Sequence, residues 1–183
     1  MLIMKYLAVL LSLFACHFAP SSDVPESAAE ASAAPVLSTD TLAPPQYDSK
    51  HRLIRITKPE ATWKRELNAL EYNVLREEGT ERAFTGDLWN NHEKGTFICR
   101  GCGLPLFSSD AKFESGTGWP SFWKPIKPEY VTEKQDRAYG MVRSEVECAR
   151  CGGHLGHVFD DGPQPTGLRY CMNSVSMDFV RDR

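Results

Sequence analysis

The sequence predicts a mainly β domain with helices at its N-terminal flank. Short apolar segments alternate with turn-rich stretches from residue 95 onward, and a single earlier stretch carries helical periodicity. Pro120, Pro125 and Pro128 disfavour a long helix in the region between the strands. Together these observations favour a sheet-based core over a helical bundle.

The first 15 residues have the pattern of an export signal. After Lys5, the ten-residue run Tyr6–Ala15 is apolar except for Ser12, and it is too short to span a bilayer. Leu13-Phe-Ala-Cys16 resembles the lipobox of bacterial lipoproteins, which implies a lipid anchor on Cys16 and a place in the bacterial cell envelope or periplasm. Because Phe14 is bulkier than usual there, an ordinary cleaved signal with an incidental cysteine is the alternative.

The next segment predicts a disordered tether. Ala, Ser and Pro fill 17 of the 28 positions of Ala19–Gln46, which hold no aromatic residue and four acidic side chains without a base. Residues 47–183 carry 20 basic and 20 acidic side chains, so the overall charge of −3 comes from the N-terminal part. A neutral domain argues against nucleic-acid binding. We therefore divide the chain into a signal (1–15), a tether (16–48) and a folded domain (49–183).

Within that domain, the first predicted element is helical. Trp63, Leu67, Leu70 and Val74 fall on one face of a helix over residues 59–78, which Gly79 would end. Asn68 leaves two short helices as an equal possibility. Three strands are then expected, and their predicted bounds are Gly95–Cys99, Tyr139–Glu147 and Leu168–Met177.

Two C-x-x-C motifs predict a metal site. Cys99, Cys102, Cys148 and Cys151 form two pairs, each followed by glycine, and such pairs supply four thiolates to a tetrahedral structural Zn²⁺. A redox-active dithiol and a structural disulfide are the alternatives. With four cysteine ligands the metal would have no open position for a substrate.

Cys171 is the remaining cysteine of the predicted domain. It is either a small core side chain or a nucleophile, and the histidine-rich stretch that holds His154 and His157 favours the second. A catalytic cysteine needs groups that stabilise its thiolate, and histidine can pass a proton to a leaving oxygen.

Four motifs resemble those of the B-type methionine sulfoxide reductases. They are Gly118-Trp-Pro-Ser-Phe122, Cys151-Gly-Gly-His-Leu-Gly-His-Val-Phe159, Asp161-Gly-Pro-Gln-Pro-Thr-Gly167 and Arg169-Tyr-Cys-Met-Asn-Ser174. The resemblance runs from about Trp63 to Val180. It implies two antiparallel sheets, a structural zinc on the four paired cysteines, and reduction of the R epimer of methionine sulfoxide in oxidised proteins.

The resemblance also implies a role for each site residue. Cys171 would attack the sulfoxide sulfur and become a sulfenic acid, while His154 or His157, with Asn173, would protonate the leaving oxygen. Asp161 and Arg169 would orient the site and balance its charge. Trp119, which otherwise reads as a core residue, would contact the substrate methyl group, with Phe122 beside it.

One position departs from the family pattern. Many members carry a second cysteine two residues before the tryptophan, where this chain has Thr117. We therefore expect an external thiol, such as a thioredoxin-like protein, to reduce the sulfenic acid; a zinc cysteine recruited after metal loss is the rival. A thiol-based redox sensor or peroxidase and a zinc-stabilised binding module remain the other function classes.

Overall fold

The computed structural model describes residues 44–136 and 143–183 of the 183-residue chain. The predicted signal, Cys16 and most of the predicted tether lie outside these residues. Tyr47, assigned to the tether, forms a β-bridge with Leu53, and its hydroxyl lies 2.8 Å from that of Tyr130. The folded part therefore begins before residue 49. Among the described residues, no helix has the length and apolar character needed to cross a bilayer.

The helical flank consists of two short helices, α1 (Glu60–Glu66) and α2 (Ala69–Glu77). The Asn68 side chain accepts hydrogen bonds from the backbone N–H groups of Leu70 and Glu71, and the Glu71 carboxylate accepts from the Asn68 N–H. This reciprocal capping box starts a new helix at the residue that was expected to interrupt one. The helix ends with Glu78 in the left-handed conformation, one residue before the glycine predicted to stop it.

The break between the helices changes which residues face the core. Trp63, Leu67 and Val74 are buried as predicted. The prediction that Leu70 shares the buried face is wrong. Leu70 is 48% exposed, because α2 starts anew at Asn68 and does not continue the phase of α1. Leu75 is buried in α2 beside Val74.

The strands form two antiparallel sheets, as predicted. A three-stranded sheet has the order β2-β1-β9, and a six-stranded sheet has the order β3-β4-β8-β7-β6-β5. The strand bounds are β1 Gly95–Cys99, β2 Pro105–Ser108, β3 Lys112–Phe113, β4 Ser121–Phe122, β5 Val131–Asp136, β6 Arg143–Cys148, β7 His154–Phe159, β8 Arg169–Met172 and β9 Met177–Arg181.

The predicted strands agree with these bounds to different degrees. The first, Gly95–Cys99, is confirmed. The second matches β6 in its later part, and residues 139–142 of it lie outside the described residues. The third was wrong as one strand, because the 3₁₀ turn Ser174–Ser176 divides it into β8 and the start of β9. The histidine-rich stretch, which was not predicted to be a strand, forms β7.

Aromatic residues from both sheets form the centre of the core. Phe97 of β1 and Phe107 of β2 contact Phe122 of β4, with ring centroids 4.8 and 4.4 Å apart. The Phe107 and Phe122 rings are stacked, and Tyr170 of β8 lies against Phe107. This packing fixes β4 and β8, the strands that position the site described next.

Candidate active site

Cys171 lies on an interior strand of the six-stranded sheet. The antiparallel register places it opposite Ser121 of β4 on one side and opposite His157 of β7 on the other. Hydrogen-bonded neighbours on both sides hold the backbone of β8 in place, so the sulfur is positioned by the sheet. The register thus brings a serine, a cysteine and a histidine from three parts of the sequence into one row.

Two hydroxyl groups, those of Thr117 and Ser121, lie beside the Cys171 sulfur, and the Ser115 hydroxyl joins them. Thr117 Oγ1 is 3.8 Å from Cys171 Sγ. Ser115 Oγ is 2.8 Å from Thr117 Oγ1 and 2.7 Å from Ser121 Oγ. We call Ser115, Thr117 and Ser121 the hydroxyl cluster. Because a hydroxyl can rotate to donate or accept, the cluster can bond to a thiol, a thiolate or an oxidised sulfur.

The surroundings of Cys171 act on its pKa in opposite directions. Burial raises the pKa of the Cys171 thiol, because it disfavours the charged thiolate. Hydrogen bonding by Thr117, the positive charge of Arg169 and hydrogen bonding by Ser121 each lower this pKa, and burial outweighs them. Thiolate formation therefore depends on these three neighbours.

Arg169 is held beside the cysteine by Asp161. Its Nε and Nη2 atoms each donate to one carboxylate oxygen of Asp161 at 2.8 Å, a bidentate pair. Hydrogen bonding by Arg169 lowers the pKa of the Asp161 carboxyl, so the pair remains charged into the acidic range. The Arg169 guanidinium also lies 4.4 Å from the Phe159 ring centroid. The structure thus brings Asp161 and Arg169 together, as predicted. Arg169 lies next to Cys171, and Asp161 orients the Arg169 guanidinium.

The two histidines differ in exposure and partners. His154 is only 3% exposed, and its Nδ1 lies 2.7 Å from a carboxylate oxygen of the buried Glu145. His154 Nε2 is buried and lacks a hydrogen-bond partner within the described part of the chain. His157 is half-buried, faces Cys171 across the β7–β8 ladder, and has its ring centroid 5.4 Å from that of His154. Of the two, His157 is the more exposed and lies opposite Cys171.

Glu81 connects the cysteine strand to the predicted aromatic wall. It is 3% exposed, and its carboxylate accepts hydrogen bonds from the N–H groups of Ser174 at 2.7 Å and Val175 at 2.9 Å. Its own N–H donates to Asn173 Oδ1 at 3.0 Å, and its carbonyl accepts from Trp119 Nε1 at 3.2 Å. One residue therefore positions both the turn after β8 and the indole of Trp119.

Asn173 and Phe122, two of the predicted site residues, bond to or pack against parts of the fold outside the immediate surroundings of the Cys171 sulfur. The Asn173 amide joins the Glu81 N–H to the Leu155 carbonyl, to which its Nδ2 donates at 3.1 Å, so it braces β7 and the Glu81 segment. Phe122 is 0% exposed and stacked in the core. The structure thus places Phe122 in the core, because alternation along β4 turns Ser121, and not Phe122, toward Cys171. Trp119 is half-buried at the site.

The four paired cysteines form one cluster, as predicted. The β1–β2 turn carries Cys99 and Cys102, the β6–β7 turn carries Cys148 and Cys151, and the four sulfurs lie within 4.8 Å of one another. The Cys99–Cys151 and Cys102–Cys148 sulfurs are each 3.6 Å apart. A tetrahedral zinc with Zn–S bonds of about 2.3 Å requires S···S distances of roughly 3.8 Å. The sulfurs therefore fit a structural Zn²⁺, which would join the two sheets.

The glycines after each pair shape the metal turns. Gly103 and Gly152 both adopt positive φ, at 71° and 68°. Their N–H groups donate to the carbonyls of Cys99 and Cys148 at 2.7 and 2.8 Å. A residue with a Cβ is strained in this conformation, so glycine lets each chain turn back and present two sulfurs to the same point.

Sequence reasoning missed Glu81, Glu145 and the serines of the hydroxyl cluster. Glu81 stands between Thr80 and Arg82, and an acidic residue in such surroundings carries no local sign of burial. Glu145 alternates with Val146 in a strand, which predicts a solvent-facing position. Neither residue lies in one of the four motifs, so the sequence offers no local signal for either.

Comparison with known proteins agrees with this geometry. Residues 67–181 match the SelR domain family. The chain is 54% identical over 127 residues to the peptide methionine sulfoxide reductase MsrB of Leptospira interrogans, covering 69% of this chain and 97% of that protein.

The corresponding protein of Agrobacterium fabrum is 57% identical over 125 residues, 68% of this chain and 93% of the relative. That of Thiobacillus denitrificans is 57% identical over 122 residues, 67% and 92% of the two chains. The chain belongs to the MsrB family. Membership confirms the resemblance inferred from the motifs, and the two antiparallel sheets with a four-cysteine cluster fit an MsrB fold with structural zinc.

Proposed function

We propose that this chain is a peptide-methionine (R)-S-oxide reductase that restores methionine in oxidised proteins, with Cys171 as its nucleophile. Membership of the MsrB family supports the reaction. The observation that carries the choice of residues is the row across the sheet, in which Cys171 lies between a hydroxyl cluster on one side and His157 on the other.

The chemical step transfers one oxygen atom from substrate to enzyme. The Cys171 thiolate attacks the sulfoxide sulfur, which forms a sulfur–sulfur bond, and the sulfoxide oxygen takes up a proton. The resulting hydroxyl then passes to the Cys171 sulfur as the sulfur–sulfur bond and the original sulfur–oxygen bond break, which leaves methionine and a sulfenic acid. The methionine sulfur is reduced by two electrons and the cysteine sulfur is oxidised by two. Arg169 favours the thiolate before the attack by its charge, and Thr117 and Ser121 do so by hydrogen bonding.

His157 is the proposed proton donor to the leaving oxygen. It is half-buried opposite Cys171, whereas His154 is buried and bonded to Glu145. His154 and Asn173 then act as positioning residues, and Trp119 provides the surface against which the substrate methyl group packs. A zinc ion on the four clustered cysteines supplies structural cross-linking between the two sheets and no open coordination position.

An external thiol returns the enzyme to its reduced form. The donor thiol attacks the sulfenic acid, releases water and forms a mixed disulfide, and a second thiol then liberates Cys171. Thr117 occupies the position at which many family members carry a second cysteine. It lies beside the Cys171 sulfur and cannot form a disulfide. A dithiol donor of the thioredoxin type fits this scheme, since it supplies both thiols.

The reaction is tested with both epimers of a methionine sulfoxide peptide and dithiothreitol as donor. We expect turnover of the R epimer only, and none after Cys171→Ser. Equal turnover of the epimers, or activity in the variant, would contradict the proposal. Ser49→Ala, a substitution at an exposed position outside the candidate active site, is the control and should leave turnover unchanged.

The route of regeneration needs a separate test. One equivalent of substrate, without donor, should convert Cys171 to a form trapped by dimedone, with zinc retained. An internal disulfide that includes Cys171, or zinc release during the turnover, would favour the rival in which a zinc cysteine is recruited.

The sequence also supports a proposal about location. An apolar run of ten residues that ends in Leu13-Phe-Ala-Cys16, followed by an acidic Ala/Ser/Pro segment, suits an exported, lipid-anchored enzyme of the bacterial envelope. Mass measurement of the mature N-terminus tests this directly. A chain that begins at Met1, or at a residue other than Cys16, would rule out the anchor.

A further inference from the structure

Phe84 is exposed and held in an unusual backbone conformation. Its side chain is 56% exposed, the largest value among the exposed large hydrophobic residues of the described part of the chain. Its φ of 65° lies in the left-handed region, which is unfavourable for an aromatic residue. Two features of the fold, a hydrogen bond and a tight turn, maintain this conformation. The Phe84 N–H donates to the Gly118 carbonyl at 2.9 Å, and the Thr85 hydroxyl closes the turn onto Arg82.

Contacts on two sides fix the orientation of the Phe84 ring. A Cβ added at Gly118 would lie 2.7 Å from the ring, so only glycine allows the ring to rest on the backbone there. On another side the half-buried Trp89 packs edge-to-face, with ring centroids 5.3 Å apart. We call Phe84 and Trp89 the aromatic platform. The ring is therefore rigid although more than half of it faces solvent.

The platform is continuous with the candidate active site. Gly118, on which the ring rests, stands between Thr117, whose hydroxyl is 3.8 Å from Cys171 Sγ, and Trp119. The segment that leads to Phe84 also begins at Glu81, whose carbonyl binds the Trp119 indole. The platform therefore rests on the residue that follows Thr117, the hydroxyl neighbour of the Cys171 sulfur, and precedes Trp119.

We propose that the aromatic platform binds an apolar side chain that flanks methionine sulfoxide in the oxidised protein. This inference rests on the proposed function, which makes the occupant a polypeptide. Methionine in proteins is mostly buried among apolar neighbours, and its oxidation disrupts such packing. Segments that become accessible to the enzyme therefore carry apolar residues next to the sulfoxide. An exposed aromatic face, fixed on the segment that also carries Thr117 and Trp119, suits such a residue.

The test compares substrates with and without an apolar neighbour. The substrates are N-acetyl-methionine (R)-sulfoxide amide and two short peptides in which the (R)-sulfoxide is flanked by leucine or by serine, all with dithiothreitol as donor. Phe84→Asn removes the ring and keeps the turn, because asparagine accepts the left-handed conformation. Ile54→Ser is the matched control, since Ile54 is 41% exposed on a different segment.

We expect Phe84→Asn to raise KM for the leucine-flanked peptide roughly tenfold, the lower end of the discrimination that one apolar contact provides. The kcat, the activity on the single amino acid and the serine-flanked peptide should be unchanged, as should every value for Ile54→Ser. Phe84→Tyr, which keeps an aromatic face, should retain the preference.

Three results would overturn the proposal. An unchanged KM for the leucine peptide would show that the platform does not bind substrate. An equal loss of activity on all three substrates would show that Phe84 maintains the structure of the active site and does not bind the flanking side chain. A loss seen only when a thioredoxin-like protein replaces dithiothreitol would make the platform a contact for the reductant. If the wild type reduces none of the (R)-sulfoxides, the proposed function itself fails.

Discussion

Thr117→Val tests how the protein stabilises the thiolate of Cys171. Valine has nearly the same shape as threonine, so the change removes the hydroxyl that lies 3.8 Å from the sulfur and leaves the packing in place. Hydrogen bonding by Thr117 is the strongest of the influences that lower the pKa of Cys171 against the effect of burial. Without it the pKa of the thiol should rise further.

The size of the effect follows from the chemistry of the contact. A hydrogen bond to a charged group is worth about 1.5–3 kcal/mol, and the long sulfur–oxygen distance favours the lower end. About 1.5 kcal/mol of lost preference for the thiolate lowers the thiolate fraction roughly tenfold at any pH below the pKa. The other groups that act on the sulfur, Arg169 on β8, Ser121 on β4 and His157 on β7, remain in place.

The assay is the rate of alkylation of Cys171 by iodoacetamide against pH, followed by mass spectrometry of its peptide. Only the thiolate reacts, so the rate rises with pH until the pKa is passed. Below the pKa of the wild type, Thr117→Val should react roughly tenfold more slowly. Above the pKa of both proteins the rates should meet, and Thr117→Ser should behave like the wild type.

Thr166→Val is the control for this experiment, because the Thr166 hydroxyl donates to the Trp123 carbonyl at 2.6 Å. It should leave the pH profile of Cys171 unchanged. If Thr117→Val and Thr166→Val give the same profile as the wild type, the hydroxyl cluster does not act on the thiolate. If Thr117→Val lowers the rate equally at every pH, it has blocked access to the sulfur.

Three further changes probe the surroundings. Glu81→Ala leaves the N–H groups of the buried Ser174 and the half-buried Val175 without their acceptor, at about 1–3 kcal/mol each, so the free energy of unfolding measured in urea should fall by about 2–6 kcal/mol, and by less for Glu81→Gln. Asp161→Asn removes the negative charge paired with Arg169, while the asparagine amide oxygen can still accept a hydrogen bond from the guanidinium and keep it in place, so the alkylation rate at neutral pH should rise, opposite in sign to Thr117→Val. Cys148→Ser should abolish stoichiometric zinc, measured with a metal-sensitive dye, and lower the midpoint of thermal unfolding.

Local patterns predicted the parts of the fold and site that local chemistry determines. The C-x-x-C pairs with their glycines form the metal turns, and Asn68 both ends one helical phase and caps the next. The motif around Cys171 predicts that this cysteine is the nucleophile, and the structure places it next to Thr117 and opposite His157. In each of these cases the residues that act together lie within a few positions of one another.

The remaining features depend on pairings between distant segments. Glu81 acts on residues more than 90 positions away, and the burial of Phe122 follows from sheet packing that its own short strand does not reveal. The β-bulge opposite Val146 also changes which residues of β7 share a face, so alternation along the sequence does not predict how His154 and His157 differ. These are consequences of register, which a single strand does not determine.

The same register connects the metal turns to the chemistry. The β6–β7 turn ends at Gly153, whose carbonyl accepts from the Cys148 N–H at 2.8 Å, and β7 begins at the next residue with His154. Three residues further, His157 pairs with Cys171. The cysteine cluster therefore sets where β7 starts, and β7 sets where His157 stands relative to the sulfur. A metal bound to the four cysteines would act on catalysis through the position of β7, so its removal should affect the stability of the fold together with the geometry of the site.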